Sequence, residues 1–295
     1  MKTIIVINAC TSIKKIWMLS VLLLSVLSQS VLAVDIRHNK ADNEKEAYQL
    51  GVLKLALSYD EQNTYHFIPS ERFYDQSKMI NELNHQQLDV IWMGTKKEYE
   101  DQFLPIRVPL YKGLLGHRIF LIRDGDQGMF STVKSFGDLR SFKAGQGRNW
   151  ADTKILTHSG LPVVTTNKYK NLFHMLEGGR FDYFPRGVHE PWSEMANHQD
   201  IPLQVEDDIL LIYPLPAYLF VHKNNTQLQA KIAQGLEQAI EDGRFDAYFF
   251  NHPMIKNVLN KANLKNRKTF RIENPSLTAQ TPFDDARLWL NIASL

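Results

Sequence analysis

Cysteine is almost missing from this chain: its 295 residues include one, Cys10. From residue 34 onward there is therefore no disulfide framework, thiolate nucleophile or cysteine-built metal site. Charge of one sign is lacking too. Lysine and arginine number 34, aspartate and glutamate 32, and the net charge is +2. Lys2, Lys14 and Lys15 stand in a start that has no acid, so the remainder is nearly neutral. A neutral chain has no electrostatic reason to bind nucleic acid or an anionic membrane. Long apolar runs are confined to Ile16–Leu32, and no later stretch is long enough to span a bilayer. There is no Gly-x-Ser-x-Gly elbow and no Gly-x-x-x-x-Gly-Lys phosphate loop. The 10 histidines form neither a His-x-x-x-His nor a His-Glu-x-x-His pair, so neither a metal nor a cofactor is expected. Asp207-Asp208 and Asp284-Asp285 are adjacent in sequence and read as solvated turns rather than acid/base pairs.

What is present starts with the apolar run. Lys14 and Lys15 precede it, and it ends at Val31-Leu32-Ala33. This is the pattern of a secretory leader cut after Ala33, the alternative being a retained membrane anchor. Residues 1–33 are read as a signal peptide and the protein as periplasmic. The rest is long enough to bury a core without staples.

Periodicity then alternates. Helices are expected over Glu44–Tyr59, Asp75–Leu83, Asn149–His158, Asn171–Glu177, His189–His198 and Ala247–Ala262. Another starts at a Thr226/Gln229 capping box and runs to about Asp242. Ser135 to Asp138 has N-cap chemistry. Strands are expected at Tyr65–Pro69, Leu88–Gly94, Arg118–Arg123, Phe142–Ala144, Phe181–Pro185, Ile209–Tyr213 and Ala217–Val221, and Gly145-Gln146-Gly147 reads as a turn. The alternation predicts an α/β fold with a largely parallel sheet. Glu177–Asp182 and Glu241–Asp246 look alike, as two glycine-terminated helices each followed by a buried phenylalanine or as a duplication.

Taken in order, Leu88-Asp89-Val90-Ile91-Trp92, Phe136 to Gly147 (FGDLRSFKAGQG) and Leu176 to Tyr183 (LEGGRFDY) resemble segments of the type II periplasmic solute-binding proteins, family 3, the amino-acid-binding-like group. The resemblance implies two α/β lobes with a ligand cleft between them and two hinge crossovers, at Gly113–Gly116 and Tyr213–Pro216. It implies lobe 1 at 34–114 plus 216–295 and lobe 2 at 115–215. It also implies a monomer that closes on a small-molecule ligand and meets a membrane transporter of ABC type or a membrane sensor. Two places depart from the amino-acid binders. Gly94-Thr95-Lys96-Lys97-Glu98 lacks their carboxylate-clamping arginine, and Phe184-Pro185-Arg186-Gly187 has a cation where they have an aspartate.

The candidate ligand residues are Trp92, Thr95, Arg118, Arg148, Trp150, Tyr183, Arg186 and Tyr213. Arg148 follows a glycine pair at a helix start, which suits an anion, although an ordinary turn with a surface arginine has the same pattern. Arg186 suits a carboxylate through its planar fork, or else a salt bridge to Glu190. Arg118 either pairs across the lobes or holds an anion. Trp92, Trp150 and Tyr183 are each cleft wall or core. Thr95 offers a hydroxyl, Tyr213 stands at the second hinge, and Asp152 reads as a helix-dipole partner. The expected function is capture of a small polar, anionic or zwitterionic amino-acid-like solute without chemistry. The enzyme alternative is a dehydratase- or hydrolase-like relative on the same fold, with His189 or Glu190 as acid or base.

Overall fold

The structure is a computed structural model that describes residues 32–291; all of the expected leader but its last two residues lies outside them. Twelve strands occur among the described residues: β1 (Leu32–His38), β2 (Asn63–Pro69), β3 (Val90–Gly94), β4 (Leu104–Ile106), β5 (His117–Arg123), β6 (Ala144–Gly147), β7 (Val163–Thr166), β8 (Phe184–Gly187), β9 (Leu203–Val205), β10 (Ile209–Ile212), β11 (Ala217–Val221) and β12 (Lys268–Arg271).

They divide between two lobes. In the first, β1 and β2 pair in parallel and β11 lies antiparallel between β3 and β4. Helices Glu44–Leu57 and Thr226–Glu241 pack against each other beside these strands. Val52, Leu53, Ala56, Ile232 and Leu236 are buried in the core they share. In the second lobe the order is β12-β10-β5-β8, β9 pairs with β5, and β6 and β7 form a separate parallel pair. Helix Ala151–His158 covers this lobe's core with Ile155 and Leu156, and Tyr169–Glu177 does so with Leu172, Phe173 and Leu176.

The sheets are mixed rather than largely parallel. β5 carries the chain into the second lobe and β10 brings it back, so the two run antiparallel; β11 likewise returns against β3 and β4. The outward and returning segments touch where the Tyr213 amide donates to the Gly116 carbonyl at 3.0 Å. A Cβ at Gly116 would stand 1.9 Å from the Tyr213 carbonyl oxygen, so only glycine permits this approach. β12 lies beyond residue 216 yet pairs with β10 in the second lobe. The chain then returns to the first lobe, where the Ser276 carbonyl accepts from Lys97 N–H at 2.8 Å and Leu290 N–H donates to the Lys112 carbonyl at 2.8 Å.

Most elements fall where periodicity puts them, and Ser135 with Asp138 forms a complete capping box. Four local readings need correction. Gly145-Gln146-Gly147 is not a turn but the buried strand β6. Its glycines make room for rings: a Cβ at Gly145 would meet Phe181 at 2.2 Å, and one at Gly147 would meet Trp150 at 2.5 Å. The strand expected at Phe181–Pro185 is displaced to Phe184–Gly187. The cap of helix Thr226–Glu241 is Asn225, whose side chain accepts from Leu228 N–H, not Thr226. The single helix expected over Ala247–Ala262 is two, Arg244–Asn251 and Pro253–Lys261, because Pro253 has no N–H to continue the first. Phe181 and Phe245, after the two look-alike glycines, are both fully buried.

Candidate functional site

A cavity of about 160 Å³ lies between the lobes. The first lobe contributes Lys45, Glu46 and Gln49 from the start of helix Glu44–Leu57, Trp92 to Gly94 from β3, and Tyr111. The second contributes Arg118 from β5, Gly147 to Asp152 where β6 meets its helix, Tyr169, Arg186 from β8, and His189 and Glu190 beyond it. These are strand ends and helix starts, where backbone groups turn toward open space. The lobes touch at the rim: Tyr99 O–H donates to the Asn149 carbonyl at 2.7 Å, the Asn149 amide donates to Ser77 Oγ at 3.1 Å, and Lys154 pairs with Glu98 at 3.1 Å.

The buried wall is a charge network. Arg118 lies 2.6 Å from Asp152 and 3.6 Å from Glu190. Arg186 donates through Nε to Glu194 at 2.8 Å and pairs with Glu190 at 3.0 Å. Its guanidinium also sits over the rings of Phe184, Trp150 and Tyr169, at 4.5, 5.1 and 5.9 Å. Lys45 reaches across the cavity to Glu190 at 3.4 Å. Tyr213 O–H donates to Asp152 and Tyr169 O–H to Glu194, both at 2.6 Å.

Burial works to raise the Glu190 carboxyl, but Arg186 and Lys45 hold it well below the usual carboxylate range. Burial also raises Glu46, against the pull of Lys45 and the Trp92 indole N–H. Burial pushes His189 down to about 3, and the cations Lys45, Arg118 and Arg186 act in the same direction. His189 is therefore neutral; it stacks on Tyr111 with ring centroids 4.2 Å apart. Neither of its ring nitrogens, nor the Tyr111 hydroxyl, has a hydrogen-bond partner among the described residues.

Of the eight candidate ligand residues, Trp92, Arg118, Arg148, Trp150 and Arg186 line the cavity, and Thr95, Tyr183 and Tyr213 do not. Thr95 is fully buried and donates its hydroxyl to Glu100 at 2.7 Å. Tyr183 belongs to the second-lobe core with Phe120 and Phe130, and Tyr213 stands behind Asp152. Arg148 is exposed, and its side chain makes no hydrogen bond or ion pair among the described residues.

Sequence reading passed over Lys45, Glu46, Gln49 and Tyr111. Glu46 and Gln49 carried a signal: they sit three residues apart on the same stripe as the buried Val52 and Leu53, and a polar break in an apolar stripe is unusual. No group of three or more metal-ligating side chains occurs among the described residues. No helix among them is long and apolar enough to cross a membrane.

No family model matches the chain, and no curated protein matches it. Solved structures do. A probable amino-acid ABC transporter extracellular-binding protein from Bacillus subtilis is 17% identical with a TM-score of 0.55, over 77% of this chain and 100% of that one. A Salmonella typhimurium periplasmic binding protein described for high arginine specificity is 16% identical with a TM-score of 0.53, over 74% and 97%. A histidine kinase sensor domain similar to periplasmic binding proteins is 17% identical with a TM-score of 0.53, over 76% and 96%. At these identities the likeness is one of fold: the chain has the two-lobed α/β architecture of periplasmic binding proteins.

Proposed function

We propose that this protein is an extracytoplasmic solute-binding protein. It captures a small polar, zwitterionic or anionic amino-acid-like ligand by lobe closure and delivers it to an ABC-type importer. Residues 1–33 serve as its signal peptide, and it acts in the periplasm as a monomer without cofactor or nucleic acid. Lobe 1 is taken as 34–114 plus the return from 216, and lobe 2 as 115–215, with β12 the exception.

The observation that carries this reading is the cavity between the lobes, whose buried wall is a charge network and at whose mouth Arg148 is unpaired among the described residues. Binding is favoured over chemistry by the state of the two acid/base candidates. Glu190 is held ionised among cations and has no proton to give, and burial makes His189 a weak base that stays unprotonated. A sensor role is the second reading, favoured by the likeness to a kinase sensor domain.

Thermal unfolding of the chain from residue 34, against amino acids, dicarboxylates, sugars and phosphates, tests the proposal. A ligand at a hundredfold excess over Kd stabilises by about 2.7 kcal/mol. The expected result is a raised midpoint with one chemical class and recovery of that compound unchanged. Conversion of the compound would point to an enzyme, and no shift with any class would overturn the reading.

A further inference from the structure

Around the cavity, the buried carboxylates outnumber the cations that face them. Glu46, Asp152, Glu190 and Glu194 are buried, against the buried Arg118 and Arg186 and the partly exposed Lys45. Glu190 and Glu194 have both oxygens engaged, and Asp152 is engaged through Oδ1. Asp152 is held by Arg118 and Tyr213, Glu194 by Arg186 and Tyr169, and Glu190 by Arg186, Lys45 and the Gly187 N–H at 2.8 Å.

Glu46 differs from the other three in lying farther from any cation. One oxygen accepts from the Trp92 indole N–H at 2.6 Å. The other accepts no hydrogen bond from the described residues; its nearest cation, Lys45 Nζ, is 4.0 Å away and closer to Glu190. Glu46 is 4% exposed and lines the cavity beside the ring of Trp92. A buried carboxylate whose nearest cation is 4.0 Å away is poorly compensated for its burial unless a closer donor arrives.

We infer that Glu46 is the cation subsite of this cavity, taking an ammonium or guanidinium group of the ligand against its free oxygen and the Trp92 ring. Arg148 at the mouth takes the ligand's carboxylate. The inference rests on the solute-binding reading and narrows it: the ligand is a zwitterion or organic cation, not a simple anion. Arg118 and Arg186 frame the site by fixing Asp152, Glu190 and Glu194, and their charges are spent on those partners. An arriving cation gains from a desolvated carboxylate and an aromatic face together. A second anion placed at depth would meet three committed carboxylates.

The test is calorimetric titration with matched probes that differ in a single charge. L-arginine against L-citrulline removes a side-chain cation at constant shape. L-alanine against L-lactate replaces the α-ammonium with a hydroxyl. The cationic member of at least one pair should bind roughly tenfold or more tightly, and Glu46→Gln, which keeps an acceptor for Trp92, should bring that ratio to about one. A thermal midpoint for Glu46→Gln at or above that of the wild type shows that the loss is not misfolding. Equal binding within both pairs, or a ratio that survives Glu46→Gln, overturns the assignment. Binding of dicarboxylates alone overturns it too, while leaving the solute-binding reading intact. Binding of no compound at all overturns both.

Discussion

Arg118 and Asp152 form an ion pair 2.6 Å apart with 2% and 9% of their side chains exposed. Two groups this close and this dry do not act as independent ligand hooks. Each compensates the other's charge in a place where neither charge would be stable alone.

The first prediction follows from that pair. Asp152→Ala leaves Arg118 buried with Glu190 at 3.6 Å as its remaining carboxylate and takes the acceptor from Tyr213. Breaking a buried pair from one side costs about 3–5 kcal/mol. Denaturant unfolding at neutral pH should show a lower midpoint with an unchanged slope.

Arg148 should behave oppositely. Its side chain is exposed and unpaired among the described residues, so Arg148→Ala should change stability by no more than about 0.5 kcal/mol. If it clamps a carboxylate, affinity for the ligand found in the thermal panel falls by roughly tenfold or more. Titration of the variant beside its melting curve separates the two effects. Unchanged affinity would remove Arg148 from the site.

Gly116 is the tightest point of the crossover. A methyl group there would lie 1.9 Å from the Tyr213 carbonyl oxygen and 3.0 Å from the Leu215 nitrogen. Those atoms are backbone and cannot rotate away, so Gly116→Ala should destabilise by at least about 1–3 kcal/mol. A wild-type melting temperature in that variant would show that the two crossovers can part at no cost.

His189 gives a pH dependence with a definite sign. An unfolded histidine titrates near 6.5, whereas burial holds His189 at about 3. Between those values the unfolded chain binds the extra proton, so this group's stability is complete above about pH 6.5 and declines as pH falls. The slope approaches about 1.4 kcal/mol per pH unit. His189→Phe keeps a ring for Tyr111 to stack on and should remove that slope between about pH 6 and pH 5, a window above most carboxylate titration. His117, held at about 4 by burial, adds a similar slope that the variant retains. Denaturant midpoints across this window make the comparison.

Much of the fold was legible. The run from Val90 to Met93 is apolar at every position and is a strand buried along that length. Ser135 and Asp138 announced a capping box and form one. Gly145 and Gly147 misled because glycine signals both turns and close packing, and only the rings of Phe181 and Trp150 reveal which applies. Pro253 was read as part of one continuous helix, and it divides that pattern in two.

The cavity was less legible, and its charges least of all. Arg186 was read as an anion handle or as the partner of Glu190, and the salt bridge to Glu190 forms at 3.0 Å. Glu194 comes back to it from the next helix, eight residues on, and Tyr169 completes the group. Glu46 and Trp92, 46 residues apart, belong to a helix start and a strand that meet only in the folded lobe.

Composition and periodicity alone determined a chain without thiol chemistry from residue 34 onward, with alternating helices and strands and enough apolar positions to bury a core, because those properties are local or additive. Tertiary structure decided which arginines are neutralised, which buried carboxylate lies farthest from a cation and which cation stands unpaired at the mouth. Electrostatic pairing depends on separations of a few ångströms between segments remote in sequence, and only folding sets those separations.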